Sequence, residues 1–470
     1  MRGHKSRDLC IILHMAKKIQ FGSRIGLIAA TVGSAVGLGN IWRFPAEAQA
    51  NGGAAFLLLY VACVFLLGIP VMVAEFALGR GTRSDAAGAF RILSQRSRWW
   101  ITGALAILAS YLILSFYMVV AGWTLEYFWQ SLTGALYDIP EGASSDTASA
   151  TFQHKMGEYI TDSWRPLIAT FAMIGINLFI LMRGVRKGIE KMSNFMMPLL
   201  FLLLVAFACV AMTFPNASEG LAFFLKPDFS KITPTVAVNA LGQAFFSLSL
   251  GMGILITYAG YFPKDTRLVK TAVTVSALDL LVAVLMGFII FPAVMSFGLA
   301  GESLQGATLV FVTLPEVFAQ LPASSLWSAL FFLLLMVAAL TSTISLGEVS
   351  VAFVQEHFKT TRRKACLWVL LPLFFLSSLC SLSQGPLSHI SILGMNIFDF
   401  LDNMATNIML PVAAILTCVF LGWATPRDFL KKQLENGGTI AAKSFPLILF
   451  IIRFAAPVLI ALILMAKILG

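Results

Sequence analysis

The chain has 470 residues, 58% hydrophobic and 12% charged, with a net charge of +10. A soluble domain carries about 25% charged residues, so this chain cannot clothe a water-facing surface. Soluble enzymes, disordered proteins and nucleic-acid binders are excluded, and the long unbroken apolar runs exclude an outer-membrane barrel, whose strands alternate. What remains is an all-α polytopic membrane protein.

The first residues, MRGHKSRDLCIILHMAKK, carry an apolar run of four, too short for a secretory signal. Residues 1–22 read as a cytoplasmic tail, with residues 1–14 an unstructured extension if Met15 is the start. Eleven segments have the ~20 mostly apolar residues of a spanning helix: 25–49, 54–79, 99–131, 164–182, 191–213, 233–261, 268–298, 325–357, 365–382, 390–423 and 446–468. Two loops are longer than the rest. Loop 132–163 is acidic and rich in Ser and Thr, and loop 299–324 carries LPEVFAQLP, which suits a short helix. Residues 23–423 form a core of ten spans, and residues 424–470 a cytoplasmic loop and the eleventh span. With the N-terminus inside, 26 of the 33 Lys and Arg residues fall on the cytoplasmic side and five outside. That split sets the orientation and places the C-terminus outside. The six cysteines are scattered without a CxxC pattern and read as small apolar fillers. No histidine spacing marks a transition-metal site.

Two spans are interrupted. The first holds TVGSAVGLGNIWRFP, with Gly33, Gly37, Gly39 and Pro45; the sixth holds FFSLSLGMG, with Ser247, Ser249, Gly251 and Gly253. Either stretch alone could be close helix packing through small residues. Together they occupy corresponding places in two five-span halves, which points to an inverted-repeat secondary transporter. Unwound backbone at the midplane offers carbonyls to a cation and helix N-termini to a carboxylate. The eighth span holds AALTSTISL. Thr341, Ser342 and Ser345 either bond back to their own helix or present hydroxyls to a hard monovalent cation such as Na⁺. Among the acids within spans, Glu75, Asp279 and Glu348 carry the sharpest information. Glu75 and Glu348 suit structural pairing near helix breaks and ends. Asp279, deep in the seventh span, suits function.

GSAVGLGNIWRFP, NGGAAFLLLY, GIPVMVAEFALGR, SLSLGMGILITYAGY and ALTSTISL together resemble the neurotransmitter:sodium symporters, from about Ser23 to Trp423. The tail resembles the eleven-span bacterial members, and among those the hydrophobic-amino-acid transporters. The resemblance implies a five-plus-five inverted repeat with unwound first and sixth helices, in a bacterial inner membrane, with no enzymatic activity and no obligate protein partner. It implies two sodium ions. The first would be held by the Ala35 carbonyl, Asn40, Ser247, Asp279 and the substrate carboxylate. The second would be held by the Gly33, Val36 and Ala338 carbonyls with the Thr341 and Ser342 hydroxyls. The substrate pocket would take Ala35, Gly37, Leu38, Gly39, Ile113, Tyr117, Phe246, Ser247, Ser249, Met252, Ser342 and Leu346. Tyr117 would bond the substrate carboxylate and Phe246 would roof the pocket. Arg43 would form an outer gate with Asp402, or with Asp399. Lys18 and Glu356 would form an inner gate near Phe21 and Tyr261. Gly188 and Pro198 match a motif that lets the fifth span unwind at its cytoplasmic end.

Two departures bear on specificity. Amine-transporting members carry an acid where this chain has Gly37, so the substrate must bring its own carboxylate. The side-chain subsite (Ile113, Met252, Leu346, Ser249) has no charge, and an unpaired buried charge there would be costly. A neutral apolar or aromatic amino acid is implied. Chloride-dependent members use a Tyr, a Gln and hydroxyls; Tyr60, Gln243 and Ser247 match, but the expected Ser is Ala283 and the usual Asn is Asp279. A fixed carboxylate could replace the anion, which implies transport independent of chloride, with proton antiport once the emptied Asp279 takes up a proton. The alternatives are a proton-coupled amino-acid symporter of the same fold, which would place a fixed cation at Thr341 and Ser342, and a non-transporting amino-acid sensor, which would need a cytoplasmic signalling domain.

Overall fold

The computed structural model describes residues 20–94, 97–138, 145–298 and 306–469. Among these residues the architecture is helical throughout, apart from one isolated bridge between Ile392 and Met395. In chain order the principal helices are α1 (Arg24–Ala35), α2 (Gly39–Ala50), α3 (Ala54–Thr82), α4 (Trp100–Thr133), α5 (Arg165–Met182) and α6 (Val185–Ala211). They continue as α7 (Pro234–Ser247), α8 (Ile254–Ala259), α9 (Leu268–Phe297), α10 (Ser324–His357), α11 (Arg362–Leu382), α12 (Ile397–Ala424) and α13 (Phe445–Ile468). Nine of these are long and apolar enough to cross a membrane, and the bent pair α1 and α2 makes a tenth. The expected sixth span is α7 plus α8, and neither part is long enough alone. Ten of the eleven segments read from the sequence thus stand as spans by length and composition, and the sixth, divided between α7 and α8, does not pass on that measure. Residues 1–19, with Lys18 and the proposed extension, lie outside the described residues.

Each broken pair is followed by four whole helices: α3–α6 after the first, α9–α12 after the second. The core is not uniformly deep. In α10, 83% of the apolar window is buried against 33% in α13, so α10 is central and α13 peripheral. Large apolar side chains such as Leu66, Phe179, Leu202, Phe375 and Phe450 stand exposed on the outer helix faces. So large an apolar surface is stable only against lipid.

The first break follows from its residues. α1 ends at Ala35, and Val36 is extended, with φ −69° and ψ 113°. The chain restarts at Gly39 through one wide, π-type turn to Arg43, and α2 leaves at 55° to α1. The second break runs through Ser249, Gly251 and Gly253, at φ 54°, 79° and 71°. Left-handed backbone is open to glycine without a steric penalty, and two of the three positions use that freedom.

Two helix starts differ from the sequence reading. α6 begins at Val185 rather than 191, because residues 185–190 form an additional wide turn despite their charges. α12 begins at Ile397 rather than 390: residues 383–395 turn instead, with Leu393 at φ 52° and Gly394 at φ 82°. A short helix, Gly306–Ala319, occupies the loop where one was expected. Among the described cysteines, Cys366, Cys380 and Cys418 are buried as fillers, Cys63 is half-buried and Cys209 is exposed.

Both acids read as structural have partners. Glu75 accepts the Gly251 N–H at 2.8 Å, holding the second break in place. Glu348, fully buried in α10, receives both ends of the Arg362 guanidinium at 2.8 and 2.5 Å, and the Tyr261 hydroxyl at 2.7 Å. This fork ties the start of α11 and the chain after α8 to the central helix. Removing one partner of a buried pair costs about 3–5 kcal/mol, because the other charge is stranded. Glu348→Ala is therefore expected to lower the thermal unfolding midpoint of the purified protein markedly. An unchanged midpoint would show that the fork contributes nothing to stability.

Candidate functional site

Asp279 sits in the middle of α9 and is wholly buried. Its Oδ1 accepts from Asn40 Nδ2 at 2.9 Å, and its Oδ2 accepts from the Ser247 hydroxyl at 2.5 Å and the Tyr60 hydroxyl at 3.4 Å. Asn40 also donates to Ser247 at 2.9 Å and takes the Gly37 N–H at 3.3 Å. Tyr60 donates to Ser247 at 3.0 Å. Four helices meet here: α2 through Asn40, α3 through Tyr60, α7 through Ser247, and α9. Each lost its sequence neighbours at a break or offers a side chain at full burial, so the polar atoms satisfy one another. The structure thus joins Asn40, Ser247 and Asp279. Ala35, the last residue of α1, lines the adjoining pocket. Gln243 points its amide N–H at the Gly39 carbonyl, 3.2 Å away, and Ala283 lies buried four residues along α9 from Asp279.

A second group gathers where α10 passes the first break. The Thr341 hydroxyl bonds the Ala338 carbonyl at 3.0 Å, and the Ser342 hydroxyl reaches the Val36 carbonyl at 3.3 Å. A Cβ added at Gly33 would lie 3.2 Å from Thr341 Cβ. Gly33, Val36, Ala338, Thr341 and Ser342 are therefore neighbours, drawn from two helices far apart in sequence. Both sequence-level alternatives describe Thr341 at once: it bonds its own helix, and it also faces the broken one. Carbonyl and hydroxyl oxygens without a fixed charge are a donor set suited to a hard monovalent cation.

Between the two groups lies a small pocket of about 40 Å³. Of the twelve residues named from the sequence, eleven line it. The twelfth, Leu38, contributes backbone: its N–H donates to the Tyr117 hydroxyl at 3.0 Å. That bond leaves the phenolic hydrogen of Tyr117 for an acceptor in the pocket. Ser34 and Ile254 also line the wall and were not named. Each adjoins a nominated feature: Ser34 precedes Ala35, and Ile254 opens α8 right after the second break. Gly37 faces both Ser342 and Tyr117. A Cβ there would fall 2.6 Å from Ser342 Oγ and 2.9 Å from the Tyr117 hydroxyl, so any side chain would intrude on the pocket. Ser249 closes the floor by bonding the Ser34 carbonyl at 2.8 Å.

Arg43 lies beside this pocket, and its guanidinium stacks 4.5 Å above the Phe246 ring. Its nearest carboxylate is Glu47, at 3.9 Å within the same helix. The expected pairing with Asp402 is not made in this structure. Asp402 instead accepts from Thr406 at 3.3 Å and senses Arg43 only at longer range. Asn396 caps the start of α12 by accepting the Asp399 N–H, and its amide donates to the Asp399 carboxylate, both at 2.8 Å. On the inner side Glu356 accepts from Ser84 and from the Asp85 N–H, both at 2.9 Å; its expected partner Lys18 lies outside the described residues. Phe21 packs edge-on against Tyr258 and Tyr261, with centroids 6.0 and 6.1 Å away.

Paired helix breaks facing a polar junction and a closed pocket define a secondary transporter. The model of the Sodium:neurotransmitter symporter family matches residues 18–154 and 144–470. An uncharacterized sodium-dependent transporter, YhdH of Bacillus subtilis, is 36% identical over 447 residues, covering 95% of this chain and 97% of its own. The sodium- and chloride-dependent GABA transporter ine of Drosophila melanogaster is 25% identical over 462 residues, covering 90% of this chain and 48% of its own. The crystal structure of MhsT in complex with L-phenylalanine superposes with a TM-score of 0.85 at 39% identity, over 96% of this chain and all of that one. The chain belongs to the sodium:neurotransmitter symporter family and is a sodium-dependent symporter.

The hydroxyl pair of α10 gives a direct test. Thr341→Ala combined with Ser342→Ala removes two oxygen donors from a buried group. An ion left short of ligands in a low-dielectric site loses several kcal/mol, and each 1.4 kcal/mol is tenfold in affinity. The sodium concentration for half-maximal uptake is expected to rise by well over about tenfold. Unchanged sodium dependence would show that these hydroxyls serve only their helix. Gly37→Asp is expected to abolish binding of a zwitterionic amino acid at neutral pH, since two like charges cannot share one unscreened site. Retained binding in a direct calorimetric titration would show that the pocket lies elsewhere.

Proposed function

We propose that this protein carries neutral apolar and aromatic amino acids into the cell with two sodium ions, by alternating access, without chloride. One observation carries the reading: the pocket is anionic-ligand-ready at one end and apolar at the other. At the polar end are Gly37, the Tyr117 hydroxyl, and the Asn40, Ser247 and Asp279 junction. At the apolar end are Ile113, Met252 and Leu346. An α-amino acid fits that polarity. Its carboxylate meets Tyr117 and the first sodium, and its side chain takes the uncharged end. A charged side chain there would be buried unpaired. Met252 adapts to several side-chain sizes, because its thioether chain is flexible. The binding of L-phenylalanine by MhsT accords with this class.

The first sodium is held by the Ala35 carbonyl, Asn40, Ser247 and Asp279 together with the substrate carboxylate. The second is held by the Gly33, Val36 and Ala338 carbonyls with Thr341 and Ser342. The first ion is thereby bound only with substrate, which couples the two fluxes. Arg43 and Phe246 close the pocket outward, with Asp402 as the acid that Arg43 meets on full closure. Lys18 and Glu356 close it inward. Chloride independence rests on Asp279: the Tyr60 and Ser247 hydroxyls that could cradle an anion already donate to its carboxylate. When the sites empty, Asp279 loses its cation in a buried setting and returns with a proton, so proton antiport accompanies sodium symport. The N-terminus lies in the cytoplasm of a bacterial cell and the C-terminus outside, as the Lys and Arg asymmetry requires.

Protein reconstituted in vesicles is expected to take up neutral apolar amino acids on a sodium gradient and to stop when K⁺ replaces Na⁺. Undiminished uptake in K⁺ with a proton gradient would replace this reading with proton coupling. Exchanging chloride for gluconate is expected to leave the parent indifferent and to slow the double variant Asp279→Asn, Ala283→Ser, which restores an amide and a hydroxyl. A chloride requirement in the parent would remove Asp279 from that role.

A further inference from the structure

The wide turn Val185–Glu190 that opens α6 grips the chain just ahead of α1. The Glu190 carboxylate accepts three hydrogen bonds: from the Gly22 N–H at 2.7 Å, the Ser23 N–H at 2.9 Å and the Ser23 hydroxyl at 2.9 Å. On the same turn, Arg186 Nε donates to the Gln20 carbonyl at 2.6 Å. One anion and one cation, four residues apart, thus hold the donors and the acceptor of residues 20–23. The fit is close. A Cβ at Gly26 would fall 2.2 Å from Glu190 Oε1, so the first turn of α1 lies directly on this carboxylate. Charge-assisted bonds of this kind are roughly twice as strong as neutral ones.

Between the gripped residues lies Phe21. Its ring is 3% exposed and sits among Tyr258, Tyr261 and Phe262. Its N–H bonds the Tyr261 carbonyl at 3.1 Å. α1 has twelve residues, so it separates this aromatic cluster from the pocket by about 18 Å at the helical rise. A solute leaving the pocket along α1 toward the basic, cytoplasmic side must part the cluster, and Phe21 is the member carried by the segment just ahead of α1.

We infer that Glu190 is the positioning residue that latches the cytoplasmic exit: its carboxylate keeps residues 22–23 and the Phe21 ring in place, and releasing those bonds frees α1 to open inward. This deepens the transport reading and rests on it, because it names what holds the inner side shut. Glu190 touches neither substrate nor ion. It acts through the start of α1.

The test uses the full chain with Glu190→Gln and, separately, Ser23→Ala. Gln keeps the shape but offers one acceptor oxygen, and it turns an N–H₂ toward backbone donors. Ser23→Ala removes one bond of the three and leaves Glu190 itself intact; it also removes the cap that Ser23 Oγ gives the Gly26 N–H at 2.9 Å, so the amides of residues 22 and 23 are the ones read. Amide hydrogen exchange is measured in saturating Na⁺, and uptake is measured in vesicles. Exchange at residues 22 and 23 is expected to quicken about tenfold in Glu190→Gln and about threefold in Ser23→Ala, with α4 and α10 exchanging at parental rates. The sodium needed for half-maximal uptake is expected to rise in the same order, because an exit that opens more readily holds its ions less well, while the ranking of amino acids stays unchanged. A purely structural role would quicken exchange in α4 and α10 as well, and that result overturns the latch. So does parental exchange at residues 22 and 23 in both variants. If Glu190→Gln does not fold, Ser23→Ala carries the test alone. If the parent shows no sodium-driven uptake, the transport reading fails, while the local exchange result still decides whether Glu190 holds α1.

Discussion

The structure turns on a carboxylate that has no water. Asp279 is fully buried in α9, and an ionised group in that setting must be surrounded by donors or neutralised. Asn40, Ser247 and Tyr60 supply them, and each comes from a different helix. To bring Asn40 and Ser247 to one point, the two helices that carry them must stop or turn there. α2 starts beside Asn40 and α7 ends at Ser247. The breaks and the acid are therefore one feature. Unwound backbone leaves polar groups without helical partners, and the buried acid, the carbonyls and the hydroxyls answer for one another.

The remaining polar residues divide by depth. At the middle, α10 carries only hydroxyls against the first break, so that region is rich in oxygen and free of fixed charge. Above and below it the charges appear in a different form. At the α2 end of the pocket, Arg43 rests on the Phe246 ring with a loose carboxylate neighbour. Toward the start of α1, Glu348 is bound at both oxygens by Arg362, and Glu190 by backbone and hydroxyl donors. Multidentate contacts of that kind are stronger and more directional than a single exposed pair. The two ends are thus held by interactions of unequal strength, with the tighter grip at the start of α1.

Much of the site was legible in the sequence because it is built from local breaks. Gly37, Gly39, Gly251 and Gly253 announce where helices cannot continue, and residues beside a break must face something other than their own helix. Of the eleven pocket residues implied by the family resemblance that line the cavity, seven lie at the breaks, while Ile113, Tyr117, Ser342 and Leu346 come from the unbroken α4 and α10; Leu38 joins them through its backbone. Glu75 and Glu348 were legible as structural because they lie near breaks and ends, where a loosened N–H or a loop cation is within reach. Arg43 was less so. Its pairing with Asp402 depends on how two distant helices pack, and here Arg43 has Glu47 of its own helix as its carboxylate neighbour.

By itself the sequence determined that the chain lives in a bilayer, how its spans succeed one another, which two of them are interrupted and which acids lie at depth. Those properties follow from composition and from periodicity over some twenty residues, and the free energy of placing a segment in lipid is local. Only the tertiary structure decided that Asn40, Tyr60, Ser247 and Asp279 share one junction, that Thr341 and Ser342 face the first break, and that residues 20–23 lie in the grip of Glu190 and Arg186. In each case the partners are tens to hundreds of positions apart. Their meeting is set by the packing of whole helices, in which most buried polar groups find a partner and no single segment carries the answer.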